Sequence, residues 1–322
     1  MEKRTDLALE ANEIYNEDYN ENPKGVSVDT YQYNKITVTT VRIIDGIGEK
    51  ALGKPAGNYI TLEIPELIHK SEENFRDTIK VLSQQLKELV KISDNKTVLV
   101  VGLGNSKITA DALGPKVISQ LLITRHLFHY MPEELEDGIR PVCALSPGVL
   151  GITGIETAEI LKGVVSRIKP DLLIVIDALA SRKLQRVSTT IQISDTGLIP
   201  GSGIGNSRMA INKETMGVPV IAIGVPTVVD AATMANDTID LVLDKLISQS
   251  KSSPQFYKIL NNVDKNEKYA LINEILTKEY INLVVTPKEV DEIIEDISEI
   301  IANGINISLH NNVTLDDINK YK

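Results

Sequence analysis

The chain alternates short aliphatic runs with helical patterns of about 10–15 residues, and this rhythm limits its fold more than any other feature. Thr97-Val-Leu-Val-Val101, Pro141-Val-Cys-Ala-Leu145, Asp171-Leu-Leu-Ile-Val-Ile176 and the run from Val218 to Ile223 are mostly continuous in hydrophobicity, as strands covered on both faces require. Thr189 to Ser194 reads as a further strand. Ala110 to Leu127, Thr157 to Ile168, Ala231 to Ser248 and Lys288 to Ala302 read as helices, the last two covering the sheet. Strands joined by helices of this length form βαβ units. The expected fold is therefore α/β, a mixed and largely parallel sheet flanked by helices, with ligands gathering at the carboxyl ends of its strands. Ten Tyr, three Phe and no Trp contribute little to an apolar share of 42%, so the core must consist mainly of Ile, Leu, Val and Ala.

Upstream, Lys35 to Ile44 and Asn58 to Ile64 are β-branched and partly alternating, which predicts an additional edge hairpin. Ser71, Glu72 and Glu73 open a helix on which Phe75, Ile79, Leu82, Leu86 and Leu89 share one face. Residues 1–33 are polar and weakly periodic, and read as a short helix at best followed by a wrapping segment. A single α/β domain is expected over 34–322, with Lys251 to Lys278 as a charged insertion. No stretch has the apolar length of a signal peptide core or a membrane span, so no membrane partner is expected. A net charge of −10 gives phosphates no basic field, which argues against direct nucleic-acid binding. One cysteine, Cys143, excludes an intrachain disulfide and a multi-thiolate zinc site, and suits a reducing, cytoplasmic compartment.

Two carboxylates stand where such a sheet concentrates its chemistry. Asp177 ends the run Leu172 to Asp177, whose other members are aliphatic, and a carboxylate in that company is costly unless something offsets its desolvation. Asp111 follows the Gly102-Leu-Gly104-Asn105 turn, within Thr109-Ala-Asp111-Ala-Leu-Gly-Pro115; the alternative for it is to complement a helix dipole. If the strands at 97–101 and 172–176 are neighbours, the two acids converge. Such a pair can hold one proton, acting as base toward water and acid toward a leaving amine. The same acids with His126 could instead hold a metal, and a glycine-lined cleft could bind a protein without cutting it. Lys107 stands where a dinucleotide loop needs its third glycine. Gly148 and Gly151, within Ser146 to Gly154, could offer main chain to an extended peptide. Gly201 to Asn206 reads as a flexible loop, and Ser194-Asp195-Thr196-Gly197 contains the D-T-G tripeptide of pepsin-like proteases once, where an Asp-Gly turn is the alternative.

RTDLALEA (4–11), KPAGNYITLE (54–63), VVGLGNSKITADALGP (100–115), EDGIRPV (136–142), PGVLGITGIET (147–157), KPDLLIVIDALASR (169–182), TTIQISDTG (189–197) and GVPVIAIGVPTVVDA (217–231) occur in that order. Together they resemble the germination proteases of spore-forming bacteria over nearly the whole chain. The resemblance implies an endopeptidase that degrades small acid-soluble spore proteins early in germination. It further implies a self-processing zymogen, a homotetramer and a place in the cytoplasm of the forespore and spore core. The implied fold is similar to hydrogenase-maturation endopeptidases. The family has been classed as an atypical aspartic protease, and earlier as a metalloprotease. Its catalytic pair falls on Asp111 and Asp177, with no cofactor or metal assigned. Gly102, Gly104, Asn105, Gly148 and Gly151 are the residues expected against substrate. Ala110 stands where the family usually has proline. Substrate sites of the T-E-F-A-S-E kind are cut after the first Glu, and Thr5-Asp6-Leu-Ala-Leu-Glu10 repeats that order of side chains, so self-cleavage is expected between Asp6 and Leu7.

Overall fold

The aliphatic runs become the strands of one nine-stranded sheet, seen in a computed structural model that describes residues 5–65, 71–93, 95–135, 137–202, 208–249, 271–272, 274–275 and 283–320. The chain opens with α1 (Ala8–Tyr19), β1 (Val26–Tyr33), β2 (Ile36–Ile43), α2 (Gly46–Leu52), β3 (Gly57–Glu63) and α3 (Glu72–Leu89). It continues through β4 (Val98–Gly102), α4 (Leu113–Ser119), α5 (Leu127–Tyr130), β5 (Val142–Leu145), α6 (Leu150–Thr153) and α7 (Thr157–Ile168). Then come β6 (Leu172–Ser181), β7 (Thr190–Ser194), α8 (Lys213–Met216), β8 (Val220–Asp230), α9 (Ala231–Gln249), β9 (Val284–Val285), α10 (Val290–Leu309) and α11 (Leu315–Lys320).

Strand order is β1-β2-β3-β7-β8-β6-β4-β5, with β9 beside β8. The strands β5, β4, β6 and β8 are mutually parallel, and β8, β7, β3, β2 and β1 are successively antiparallel. The mixed α/β sheet flanked by helices is thus present. On one face, Leu82 and Leu86 of α3 and Ile297, Ile301 and Ile305 of α10 join Val98, Val100, Ile174, Ile176, Ile221 and Ile223 in the main core. On the other, Ala158, Leu161 and Val165 of α7 cover Leu99, Val101, Leu173 and Val175. The same face of the antiparallel half is covered by Ala8 and Leu9 of α1, over Val41, Ile43 and Tyr59. Each fully buried aliphatic side chain contributes about 1.5–3 kcal/mol.

Four details depart from the sequence reading. Residues 26–33, expected to wrap, form β1 and pair along their whole length with β2. Their side chains are half-buried or exposed, so no apolar alternation marks the strand, and the edge lies one strand beyond the expected hairpin. The helix expected over Ala110 to Leu127 is a 3₁₀ turn at Thr109–Asp111 followed by the short α4. The chain then runs extended so that Thr124 can serve the edge strand β5: its N–H donates to Val142 O at 3.0 Å and its Oγ1 accepts from Val142 N at 2.9 Å. Helix α9, expected to cover the sheet, leaves Ile239, Leu241, Val242 and Leu246 exposed. The expected insertion at 251–278 lies outside the described residues apart from 271–272 and 274–275, as does the expected loop at 201–206 beyond Gly201 and Ser202.

One close approach sets the geometry of everything at the end of β4. A Cβ on Gly102 would stand 2.2 Å from the Gly114 carbonyl oxygen, and one on Gly114 would stand 2.3 Å from that of Leu103. Both neighbours are main chain and cannot rotate away, so α4 packs against the strand only because these two residues lack side chains. Gly102→Ala is expected to cost about 1–3 kcal/mol through overpacking, read as a lower midpoint in urea unfolding.

Candidate active site

Strand β4 stops at Gly102, opposite Ile176, while β6 runs on to Ser181 beside β8. Asp177 is therefore the first residue of β6 without a β4 neighbour. It pairs on its other side with Gly224. Its backbone continues a buried strand, so its carboxyl group is buried too, at 7% exposure. The chain leaving β4 turns over this position: Leu103 N donates to Ile176 O at 2.8 Å, and Gly104 adopts φ +111°. A side chain on Gly104 would meet the Asp111 carbonyl oxygen at 2.0 Å. The loop closes where Asp111 Oδ2 accepts the Asn105 N–H at 2.8 Å. Thr227 on β8 pins the same turn by donating its hydroxyl to Ala110 O at 2.7 Å.

Asp111 and Asp177 consequently line one cleft of about 460 Å³, together with Gly104, Asn105, Gly148 and Gly151. Gly102 does not line it; that residue lies buried beneath α4, where its role is the close approach described above. Burial raises the Asp177 carboxyl pKa well above 3.8, and the charges of Asp111 and then Asp6 raise it further, against the Ala178 N–H bond that lowers it. Burial also raises Asp111, opposed by its bond from Asn105. Two carboxyl groups whose ionisations oppose each other, with one far more desolvated, constitute a pair that retains a proton at pH values where isolated carboxyls are ionised.

His126 is exposed and does not line the cleft, so the metal-assisted alternative built on it loses its imidazole. Asp195 of the D-T-G tripeptide is exposed and structural: its carboxylate accepts from Asn58 N at 2.8 Å and Asn58 Nδ2 at 2.6 Å, joining the ends of β3 and β7.

The N-terminal arm enters the same cleft, which sequence reasoning did not foresee. Asp6 lines it, and Leu7 and Ala8 behind it are wholly buried. Asp6 Oδ2 accepts from Ala180 N at 2.9 Å, and Ala8 N donates to Gln192 Oε1 at 2.7 Å. Glu10, also buried, accepts from the N–H groups of Arg182 at 2.7 Å and Lys183 at 2.9 Å. Lys54, Gln192 and Ser202 were likewise not singled out from sequence. Gln192 carried a signal as a polar residue inside the strand Thr190-Ile-Gln-Ile-Ser194, and Ser202 lies in the Gly201 to Asn206 loop, which the sequence offers as a substrate-adjacent or structural turn.

A family model described as Germination protease matches residues 3–258 and 244–322. The germination protease of Clostridium perfringens is 54% identical over 99% of this chain and 98% of its own length. That of Clostridium tetani is 55% identical over 100% and 99%, and that of Bacillus cytotoxicus 41% identical over 99% and 96%. Among solved structures, a [NiFe] hydrogenase maturation protease from Thermococcus kodakarensis is similar over 44% of this chain and 80% of that one, at 18% identity and a TM-score of 0.28. With a family model matched from residue 3 to residue 322 and relatives aligned almost end to end, the chain belongs to the germination protease family.

Proposed function

We propose that this protease is an endopeptidase of the aspartic type, which starts the degradation of small acid-soluble spore proteins during germination. The observation that carries the reading is the convergence of Asp111 and Asp177 on one cleft, with the charge of the first raising the pKa of the second. The less desolvated Asp111 ionises first and takes a proton from water. Asp177, holding its proton, donates it to the scissile carbonyl; Asp111 then passes the proton taken from water to the departing amine, and Asp177 recovers its own from the tetrahedral hydroxyl as the carbonyl re-forms. Main chain at Gly104, Gly148 and Gly151 lies along the cleft to hold an extended peptide. No cofactor takes part in these steps.

The protein is made as a zymogen that cuts itself between Asp6 and Leu7. Support for this comes from the substrate-like order of side chains in residues 5–10 and from the presence of Asp6 in the cleft with the acid pair. The working form is a homotetramer in the cytoplasm of the forespore and spore core. A metal-assisted peptidase remains the second reading for the same acids, and a non-catalytic binding module the third.

Asp111→Asn and Asp177→Asn are each expected to lower kcat on a spore-protein substrate by about 10²-fold or more, with folding intact by circular dichroism. Retained cleavage in both would end the dyad assignment, and absence of turnover in the unmodified enzyme would leave only the binding module. A chelator is expected to leave the rate unchanged, whereas its loss would restore the metal-assisted reading. Activity should fall at low pH as Asp111 is protonated and at high pH as Asp177 loses its proton, the first limb shifted upward from 3.8 by burial and the second well above it.

The same shift makes a stability prediction. Folding raises the Asp177 pKa above its unfolded value, so the protonated acid favours the fold at low pH, and that contribution is lost as pH rises through the folded pKa. Asp177→Asn, which cannot ionise, is therefore expected to have the higher Tm in alkaline buffer while being inactive. A Tm equal to or below that of the unaltered protein there would contradict the assigned desolvation.

A further inference from the structure

Strand β8 carries an irregularity beside the acid pair. In its parallel pairing with β6, Leu179 stands opposite Pro226 and Ala180 opposite Val228, so Thr227 is an extra residue facing no residue of β6. Such bulges are rare between parallel strands and collect next to active sites. Thr227 is buried and lines the cleft, and both of its oxygens bond outside that ladder. The hydroxyl donates to Ala110 O at 2.7 Å, and the carbonyl oxygen accepts the hydroxyl of Thr286, the residue after β9, at 2.9 Å. The peptide before it is fixed as well, since Pro226 O accepts the Ser188 N–H at 2.6 Å.

The bond to Ala110 reaches Asp111 through one peptide plane. The carbonyl of Ala110 and the N–H of Asp111 belong to a single rigid unit. Thr227 holds its oxygen, and Ile108 O accepts its N–H at 2.8 Å. With the Asn105 N–H on the carboxylate, Asp111 is held where its side chain begins and where it ends. Asp177 pairs with Gly224, which lies on the same strand as Thr227. Two acids from remote segments are thus referred to β8, one through strand pairing and the other through a hydroxyl.

We propose that Thr227 is a positioning residue for the acid pair, its hydroxyl setting the distance from Asp111 to Asp177, and that Thr286 holds the bulge in the shape that aims it. The C-terminal segment thereby shapes a site whose acids lie far upstream. The effect on turnover rests on the peptidase reading above, and the effect on the acids themselves does not.

Thr227→Val keeps the outline of the side chain and removes the hydroxyl. In self-processed enzyme it is expected to lower kcat about tenfold with KM changed less than about twofold, because displaced acids cost more in the transition state than in binding. Its alkaline limb should also move. Burial raises the Asp177 pKa first and the Asp111 charge next; Asp6, Glu156 and Arg208 are the other charged residues lining the cleft among the described residues. An Asp111 that has drifted away raises Asp177 less, so the limb shifts to lower pH. Thr227→Ser retains the hydroxyl and is expected to restore kcat to within about twofold. Thr286→Val alters an exposed residue; it is expected to lower kcat about threefold, to move the limb the same way, and to add nothing to Thr227→Val.

An alkaline limb left in place by Thr227→Val, whatever its rate, or equal losses in Thr227→Val and Thr227→Ser, would overturn the positioning role. Full addition of the two valine variants would overturn the part given to Thr286. Should Thr227→Val fail to fold, an unchanged rate and limb in Thr286→Val would defeat the proposal. Normal cleavage by Asp111→Asn would instead end the peptidase reading of the pair. The pH at which the fall in Tm levels off follows the Asp177 pKa without any turnover, and it is expected to be lower in Thr227→Val than in the unaltered chain. Equal values there would overturn the hold on Asp111 itself.

Discussion

Burying the carboxyl group of Asp177 is the constraint around which the site is arranged. A buried acid without a partner is expensive, and among the described residues its hydrogen-bond partner is only the N–H of the next residue, at 3.0 Å. Like charges nearby make ionisation harder still. The fold accepts this because the position is set by the sheet: β6 must continue beside β8 after β4 has ended, and the first residue past that end is both buried by its strand and open to the cleft. The chemistry assigned to the pair needs this asymmetry. Two well-solvated carboxyls too far apart to interact would each ionise near their ordinary pKa and leave no proton to donate.

The second acid depends on main-chain geometry more than on its own side chain. Gly102 and Gly114 let α4 lie against β4, Gly104 takes a left-handed turn, and Thr227 ties the loop to β8, so Asp111 has little freedom to move from the strand end. The identity of residue 110 matters little to that anchoring, since the bond from Thr227 is made to its carbonyl oxygen, which every residue has.

The parts of this arrangement that were legible in sequence are those where one local signal sufficed. The strands β4, β5, β6 and β8 are aliphatic because helices cover both their faces, and an acid at the end of such a run stands out. The βαβ rhythm does not say which strands are neighbours, because β5 lies between β4 and β6 in the chain but beyond β4 in the sheet, so in the sequence the convergence of Asp111 and Asp177 is only conditional. Where two remote segments create the environment together, the signal vanishes. β1 has no apolar alternation because it is an edge strand with little to cover, and its pairing with β2 is carried by main chain. Lys54 looks like an ordinary surface residue, and Asp6 stands out only as the residue before an expected cut, until the arm is laid across β6. The D-T-G tripeptide shows the converse error, a short motif with a catalytic precedent that here ties two strand ends together.

The arm is held at two independent places, and this bears on what self-cleavage would release. Beyond Asp6, Arg186 is bound by Glu13 on two guanidinium nitrogens at 2.7 and 2.6 Å and by Glu63 at 2.9 Å, with Glu10 at 3.5 Å. These partners raise the Arg186 pKa against its own desolvation, and leaving such a buried charge uncompensated would cost about 3–5 kcal/mol. None of those bonds involves residues 1–6. A cut between Asp6 and Leu7 would therefore remove the acid from the cleft while Arg186 and the apolar contacts of Ala8 and Leu9 keep α1 on the sheet. Asp6, which lines the cleft, and the residues that hold α1 on the sheet fall on opposite sides of the peptide bond proposed for self-cleavage, so such a cut would not loosen the antiparallel half of the molecule.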